Sequence, residues 1–116
     1  ISNEYARATV FCHASLEESH GVSIIEALNA GLSVIGGERS GGVPWSTFEG
    51  QAGRLVDVRN PAAIAAAICD ALEDPSSTVA HGFDAAQAIS DRHGPTVVAT
   101  AYVAEYRRLI AADQCR

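Results

Sequence analysis

Apolar residues occur in this chain either in short continuous runs or at helical spacing. Three runs are short and rich in β-branched residues, and they lie within residues 9–13, 32–35 and 55–58. Runs of this kind are typical of strands that are buried on both faces of a parallel sheet. The pattern therefore predicts three short strands at these positions.

Helical spacing follows the first strand. Ile24, Ile25 and Leu28 give one segment an apolar side, and Gly31 is expected to end that helix. Ser23 and Glu26 have the spacing of an S-x-x-E capping box, which predicts a helix start at Ser23.

Three more helices are expected after the third strand. Asn60-Pro61 predicts the start of a helix that continues to about residue 74, where Pro75 ends it. A second helix is predicted over residues 76–91, weakened by Gly82. Gly94-Pro95 restarts the chain into a final helix, whose tyrosines are expected to be core and packing residues.

The order β-α-β, then β, then helices predicts an α/β fold, the second half of a doubly wound domain. A short mixed segment over residues 1–8 is expected to form a helical turn that Tyr5 packs. Residues 36–45 are dense in glycine and are predicted to be a loop. That loop is either a flexible surface connection or a place where backbone approaches backbone or ligand closely.

Composition narrows the function classes. The chain has 116 residues, a net charge of −6 and no lysine, so one domain is expected and a nucleic-acid binder, which normally has a basic face, is disfavoured. No segment approaches the ~18 apolar residues of a membrane span. Cys12, Cys69 and Cys115 form no CxxC pair, which favours free thiols in a reducing cytoplasm and gives a zinc site little weight.

Residues 15–35 carry the most informative pattern. Glu18 and Glu26 are separated by seven residues and flank the loop that contains Gly21. Three further segments follow in order, namely Gly41-Gly42-Val43-Pro44, residues 53–58, and Asn60-Pro61 at the start of an alanine-rich helix. This set resembles the C-terminal portion of a retaining GT-B glycosyltransferase, the group 1 family with an E-x7-E motif, and the resemblance spans nearly the whole chain.

The resemblance implies a donor-binding role for this part of the fold. Glu26 would accept hydrogen bonds from the ribose hydroxyls of a nucleotide diphosphate sugar. Glu18 would be the catalytic-site residue that orients the transferred sugar. The loop between them would contact the sugar or the diphosphate, through Ser19, His20, Gly21 and Val22. The donor would be a substrate, and neither a metal nor another cofactor is implied.

The chain departs from the family pattern at several positions. Ser19 and His20 replace the first glycine and the aromatic residue of G-F-G, and Trp45 replaces an acidic residue. Trp45 is either a cover over the nucleotide pocket or an interface anchor. His20 is either a ligand contact or general base, or a partly exposed loop residue without a catalytic role.

The alternatives remain open at this stage. Glu26 alone could be only the capping partner of Ser23, and a non-catalytic nucleotide-binding or scaffold module of the same fold is the second hypothesis. We expect residues 1–116 to be a single fragment of a longer polypeptide, separated from its acceptor-binding N-terminal domain. An open sheet edge predicts self-association. A cytoplasmic location is expected, with peripheral membrane association of the full-length protein left open.

Overall fold

The computed structural model describes residues 2–113, except for the side chain of Ser2. Ile1, the first residue of the segment predicted over residues 1–8, and Cys115 lie outside these residues. The secondary structure elements are α1 (Ser2–Tyr5), β1 (Val10–His13), α2 (Val22–Asn29), β2 (Ser33–Gly37), α3 (Val43–Ser46), β3 (Arg54–Val56), α4 (Pro61–Glu73), α5 (Pro75–His93) and α6 (Pro95–Asp113).

The three strands form one parallel sheet in the order β1-β2-β3. Val10 is aligned with Ser33, and Ile35 with Arg54. Because neighbouring side chains of a strand point to opposite faces, Val34 and Ile35 enter different apolar clusters. The helix α4 packs on the Ile35 face and α2, α3 and α5 on the other, which confirms the partial doubly wound α/β architecture.

Local signals predicted several helix boundaries correctly. Asn60 caps α4 by accepting a hydrogen bond from the N–H of Ala62 at 3.0 Å. Gly31 lies in the left-handed region at φ 80°, directly after the end of α2. The N–H groups of Gly31 and Leu32 donate to the carbonyls of Leu28 and Ala27, and this pair of bonds is a Schellman motif.

The predicted loop over residues 36–45 is wrong at both ends. Gly36 and Gly37 are the last residues of β2, and α3 follows within the same stretch. A Cβ on Gly36 would lie 2.7 Å from Cγ1 of Val43, which is fully buried. The glycine therefore lets α3 pack directly over the end of the strand.

Two smaller boundary predictions also need correction. The strand β3 ends at Val56, because Asp57 turns the chain by accepting a hydrogen bond from the N–H of Arg59 at 3.0 Å. Pro75 begins α5 instead of only ending α4. Asp74 caps that helix by accepting from the N–H of Ser77 at 3.0 Å.

The expectation that the tyrosines of the last helix are core residues is wrong. No residue of α6 is buried, and Tyr102 and Tyr106 are 59% and 57% exposed. Their rings contact each other, with centroids 6.0 Å apart. No helix among residues 2–113 combines the length and apolar character that a membrane crossing requires.

Candidate functional site

The loop between β1 and α2 is folded around the carboxylate of Glu18. Its Oε1 accepts hydrogen bonds from the backbone N–H groups of Ser19 and His20, at 2.9 and 3.3 Å. The backbone N–H of Gly21 is the largest cause that lowers the pKa of Glu18, followed by that of His20, and the positive field of His13 contributes less. Glu18 is therefore held as an ionised group in one orientation.

His13 is the second side chain at this carboxylate. It is the last residue of β1, and its Nε2 lies 3.6 Å from Oε2 of Glu18. Its ring stacks on Phe11, with centroids 6.2 Å apart and an interplanar angle of 22°. Sequence reasoning missed His13, although its position at the end of a strand that leads into the motif was a usable signal.

The glycine-rich segment supports the same loop from outside. The N–H of Gly42 donates to the carbonyl oxygen of Glu18 at 2.6 Å. A Cβ on Gly42 would overlap the carbonyl oxygen of Ser19, and one on Gly41 would overlap that of Glu18. The close-approach alternative for this segment is thus confirmed, because any side chain there would push the two backbones apart.

Ser46 joins α3 to the loop. Its hydroxyl is fully buried and lies 2.9 Å from the carbonyl oxygen of His20 and 3.0 Å from that of Gly42. A Cβ on Gly21 would lie 3.0 Å from the same hydroxyl oxygen. The loop therefore has little room to move between α3 and the start of α2.

The capping box predicted at Ser23 and Glu26 is wrong. The residue in the N-cap position of α2 is Gly21, which has φ 57° and ψ 45°, and no side chain caps the helix. Ser23 already lies within the first turn. The left-handed Gly21 decides this start, because it turns the chain out of the Glu18 loop directly into α2.

Glu26 instead faces the surface and Tyr5. The pKa of Tyr5 is raised by desolvation first, then by the charge of Glu26 and by a hydrogen bond to its carboxylate. The Tyr5 hydroxyl also lies 3.4 Å from the carbonyl oxygen of Ser23. Tyr5 is a second residue that sequence reasoning did not assign to the site, since only its packing was predicted.

Three of the predicted site residues share one surface cavity of about 360 Å³. The cavity lies between α2 and the junction of α5 with α6, and its walls include His20, Val22, Glu26, Asn29, Ser90 and His93. Glu18 does not line it, but its carboxylate accepts a hydrogen bond from the backbone N–H of His20, which does. Of the two predicted carboxylates, therefore, only Glu26 belongs to this cavity.

An aromatic cluster borders the cavity. The ring of His20 lies 5.4 Å from that of Trp45, which lies 5.3 Å from that of His93. His93 also stacks on Phe48, at 5.8 Å and 13°. Trp45 remains 52% exposed, so the described residues do not enclose it.

The described residues offer few candidates for a metal site or a reactive thiol. Within residues 2–113, no group of three or more His, Cys, Asp or Glu side chains is arranged to hold a metal ion. Cys12 and Cys69 are exposed free thiols. Burial raises the pKa of the Cys12 thiol, which keeps it in the less reactive protonated form.

Comparison with known proteins places this geometry in a family. The sequence profile described as Glycosyl transferases group 1 matches residues 1–87. A D-inositol 3-phosphate glycosyltransferase of Corynebacterium glutamicum is 36% identical over 83 residues, covering 72% of this chain and 20% of that protein. A GDP-mannose-dependent α-(1-6)-phosphatidylinositol monomannoside mannosyltransferase of Mycolicibacterium smegmatis is 38% identical over 65 residues, covering 56% and 17%.

A solved structure of a similar protein supports the same family. Sucrose-phosphate synthase from Thermosynechococcus elongatus superimposes with a TM-score of 0.84 at 28% identity, covering 94% of this chain and 27% of that one. The chain spans about a fifth of the length of the first of these relatives, 20%. The ordered motifs, the parallel sheet and these similarities lead to one conclusion: the chain belongs to the group 1 glycosyltransferases of the GT-B fold.

Proposed function

We propose that this chain is the donor-binding part of a retaining glycosyltransferase that transfers a sugar from a nucleotide diphosphate sugar to an acceptor. The observation that supports this most strongly is the state of Glu18. It is an ionised carboxylate with Oε1 held by backbone N–H groups, in the loop that enters α2. Such a group can accept the hydroxyls of a sugar without rearranging when the ligand binds.

Each predicted site residue has a role in this proposal. Glu18 orients the transferred sugar, and Glu26 accepts the ribose hydroxyls of the nucleotide. The diphosphate or sugar contacts the start of α2, which no side chain caps and which favours negative charge. That part of the site consists of Ser19, His20, Gly21 and Val22.

The cavity beside α2 supports the assignment of Glu26. Its volume of about 360 Å³ falls within the range of small-molecule sites. Tyr5 would then compete with or orient the ribose, because it lies close enough to Glu26 for the charge of that carboxylate to raise the pKa of Tyr5. The acceptor would be bound by another domain of the same polypeptide, in a cytoplasmic enzyme whose catalysis uses no metal.

The contact between Tyr5 and Glu26 also favours a second candidate. If the tyrosine occupies the carboxylate permanently, the chain is a non-catalytic module of the same fold. Ser19 and His20, which depart from the family pattern, are consistent with an altered donor site as well.

Ligand-observed NMR separates the two candidates. The chain is titrated with UDP, GDP and ADP and with their sugar conjugates, and Glu26→Ala is compared with Glu105→Ala, a control at an exposed carboxylate on α6. We expect saturation transfer to the ribose of one nucleotide. Glu26→Ala alone should weaken the affinity for that nucleotide about 10- to 100-fold, because a hydrogen bond to a charged group contributes about 1.5–3 kcal/mol.

Activity of the intact protein provides the decisive outcome. Glu26→Ala should reduce sugar transfer by at least a similar factor, since the ribose contact is retained in the transition state. Unchanged transfer in Glu26→Ala, or no transfer by the wild type with any nucleotide sugar, would reject the donor-site proposal in favour of the scaffold module.

A further inference from the structure

Two buried side-chain polar atoms have no hydrogen-bond partner within the described residues, Nε2 of His13 and Oγ of Ser40, and the first lies beside Glu18. Nε2 of His13 is sealed from solvent and has no hydrogen-bond partner within the described chain. The His13 side chain is only 14% exposed. A buried polar atom without a partner costs free energy, so its presence requires a reason.

The nearest charged group supplies that reason. Nε2 lies 3.6 Å from Oε2 of Glu18, which is longer than a hydrogen bond but within the range of a charge contact. The two oxygens of Glu18 thus have different protein partners. Oε1 faces the N–H groups of Ser19 and His20, and Oε2 faces the imidazole.

The imidazole itself is held in place. His13 is paired with Gly36 in the register of the sheet, and its ring stacks on Phe11. Because Nε2 is closed to solvent, an incoming ligand cannot reach it directly. Any effect of His13 on a ligand must therefore pass through the Glu18 carboxylate.

We propose that His13 is a positioning residue, whose Nε2–H faces Oε2 of Glu18 and fixes the rotation of the carboxylate. Each carboxylate oxygen can accept about two hydrogen bonds. Oε1 already accepts from two backbone N–H groups and Oε2 faces only the imidazole, so the free acceptor site of Glu18 lies on Oε2, where it can take one sugar hydroxyl. The use of that site rests on the proposed function, whereas the contact between His13 and Glu18 does not.

A first experiment needs neither a ligand nor a variant. Nitrogen-15 NMR of the histidine rings in the chain reports which ring nitrogen carries the proton when the imidazole is neutral. We expect the proton of His13 on Nε2, where it faces the carboxylate. A proton on Nδ1 would overturn the proposal, because a lone pair on Nε2 would then oppose the charge of Glu18.

Variants test whether the contact acts on Glu18. The amide proton shifts of Ser19 and His20 follow the ionisation of the carboxylate they bind. In His13→Leu the midpoint of this titration should move to higher pH, and His13→Gln should restore part of the shift through its amide N–H. His81→Leu, which removes an imidazole from α5, is the matched control and should leave the midpoint in place.

The outcomes are distinct. A midpoint unchanged from the wild type in both His13 variants would overturn the proposal, and His13→Gln keeps the test available if His13→Leu does not fold. In the intact protein, His13→Leu should lower kcat by about 10-fold with a smaller change in KM, as expected for misplacement of a catalytic-site group. Absence of any transfer activity in the wild type would reject the proposed function and leave the NMR result standing.

Discussion

At the scale of single residues, Glu18 shows how backbone N–H groups can lower the pKa of one carboxylate. The N–H groups of Gly21, His20 and Ser19 favour the charged form, in that order of effect, and His13 adds to it. Glu105 is the only other carboxylate for which the structure resolves a lowered pKa within residues 2–113, and its cause is the guanidinium of Arg108. Because of these two carboxylates, the free energy of unfolding is expected to depend on pH in the acidic range.

The sign of that dependence follows from linkage. A carboxyl group with a lowered pKa in the folded state stabilises the protein above its unfolded pKa, and this contribution is lost as the pH falls through the folded pKa. We therefore expect the free energy of unfolding of Glu18→Gln to fall less than that of the wild type between roughly pH 5 and pH 3. Urea unfolding at several pH values measures the difference.

Glu105→Gln is the comparison for this prediction. It removes the carboxylate that receives the bidentate contact of Arg108, at 2.9 and 2.6 Å on α6. The double variant should have the flattest pH dependence of the four proteins. An acid response of Glu18→Gln equal to that of the wild type would show that the loop N–H groups do not hold the ionised form.

At the scale of elements, the packing of α5 outweighs its helix propensity. Gly82 was expected to weaken this helix, and a glycine within a helix is usually about 1 kcal/mol less favourable than alanine. Gly82 is nevertheless buried, and a Cβ there would overlap the carbonyl oxygen of Gly31 in the turn between α2 and β2. The glycine permits α5 to lie directly on that backbone.

Gly82→Ala is therefore expected to destabilise the protein by roughly 1–3 kcal/mol, the range for overpacking a close contact. Helix propensity alone predicts the opposite sign. Asp84→Ala is the control, because residue 84 is exposed on the same helix and its change should stay within about 0.5 kcal/mol. Thermal and urea unfolding compare the two, and a Gly82→Ala variant more stable than the wild type would contradict the close packing.

At the scale of the whole molecule, α6 extends away from the core. The radius of gyration is 17.1 Å and the longest dimension 61 Å, against about 13 Å for the radius of gyration of a compact domain of this size. The apolar side chains of α6 lie at the surface, with Leu109 and Ile110 51% and 60% exposed. Burial of α6 thus contributes little to the stability of the rest of the chain.

A chain that ends at Gly94 should keep its stability to within about 1 kcal/mol, as expected when exposed residues are removed. A chain that ends at Asp74 should unfold, because α5 contributes Ala85 and Ile89 to the core. Urea unfolding followed by circular dichroism measures both. A loss of several kcal/mol on removing α6 alone would show that this helix packs on the core in solution.

Gel filtration of the 116-residue chain and of the chain that ends at Gly94 tests the self-association expected from the open sheet. The strands β1 and β3 are its edges, and both are short. Exposed apolar patches favour association, as open edges do. We expect association of the 116-residue chain, reduced when α6 is removed; a monomer in both cases would exclude it.

Much of the fold was determined by the sequence itself, because the signals act within a few residues. The Asn60-Pro61 start, the Gly31 stop and the presence of three strands each follow from local backbone geometry and were predicted correctly, although the third strand ends earlier than predicted. The order of these signals was enough to indicate the doubly wound fold. The ordered set of motifs that begins with Glu18 and Glu26 gave the resemblance to the family, which the family profile confirms, and the roles of the two carboxylates remain predictions.

Only the tertiary structure decided the features that depend on residues far apart in the chain. Gly42 contacts Glu18 across 24 positions and Gly82 contacts Gly31 across 51, as the numbering shows. The exposure of α6 likewise follows from how the elements pack, whereas the contact of His13 with Glu18 spans only five positions of the chain. Helix and strand propensities carry no information about such contacts. The effect of a side chain at Gly42 or Gly82 on stability is set by the backbone that packs against that position.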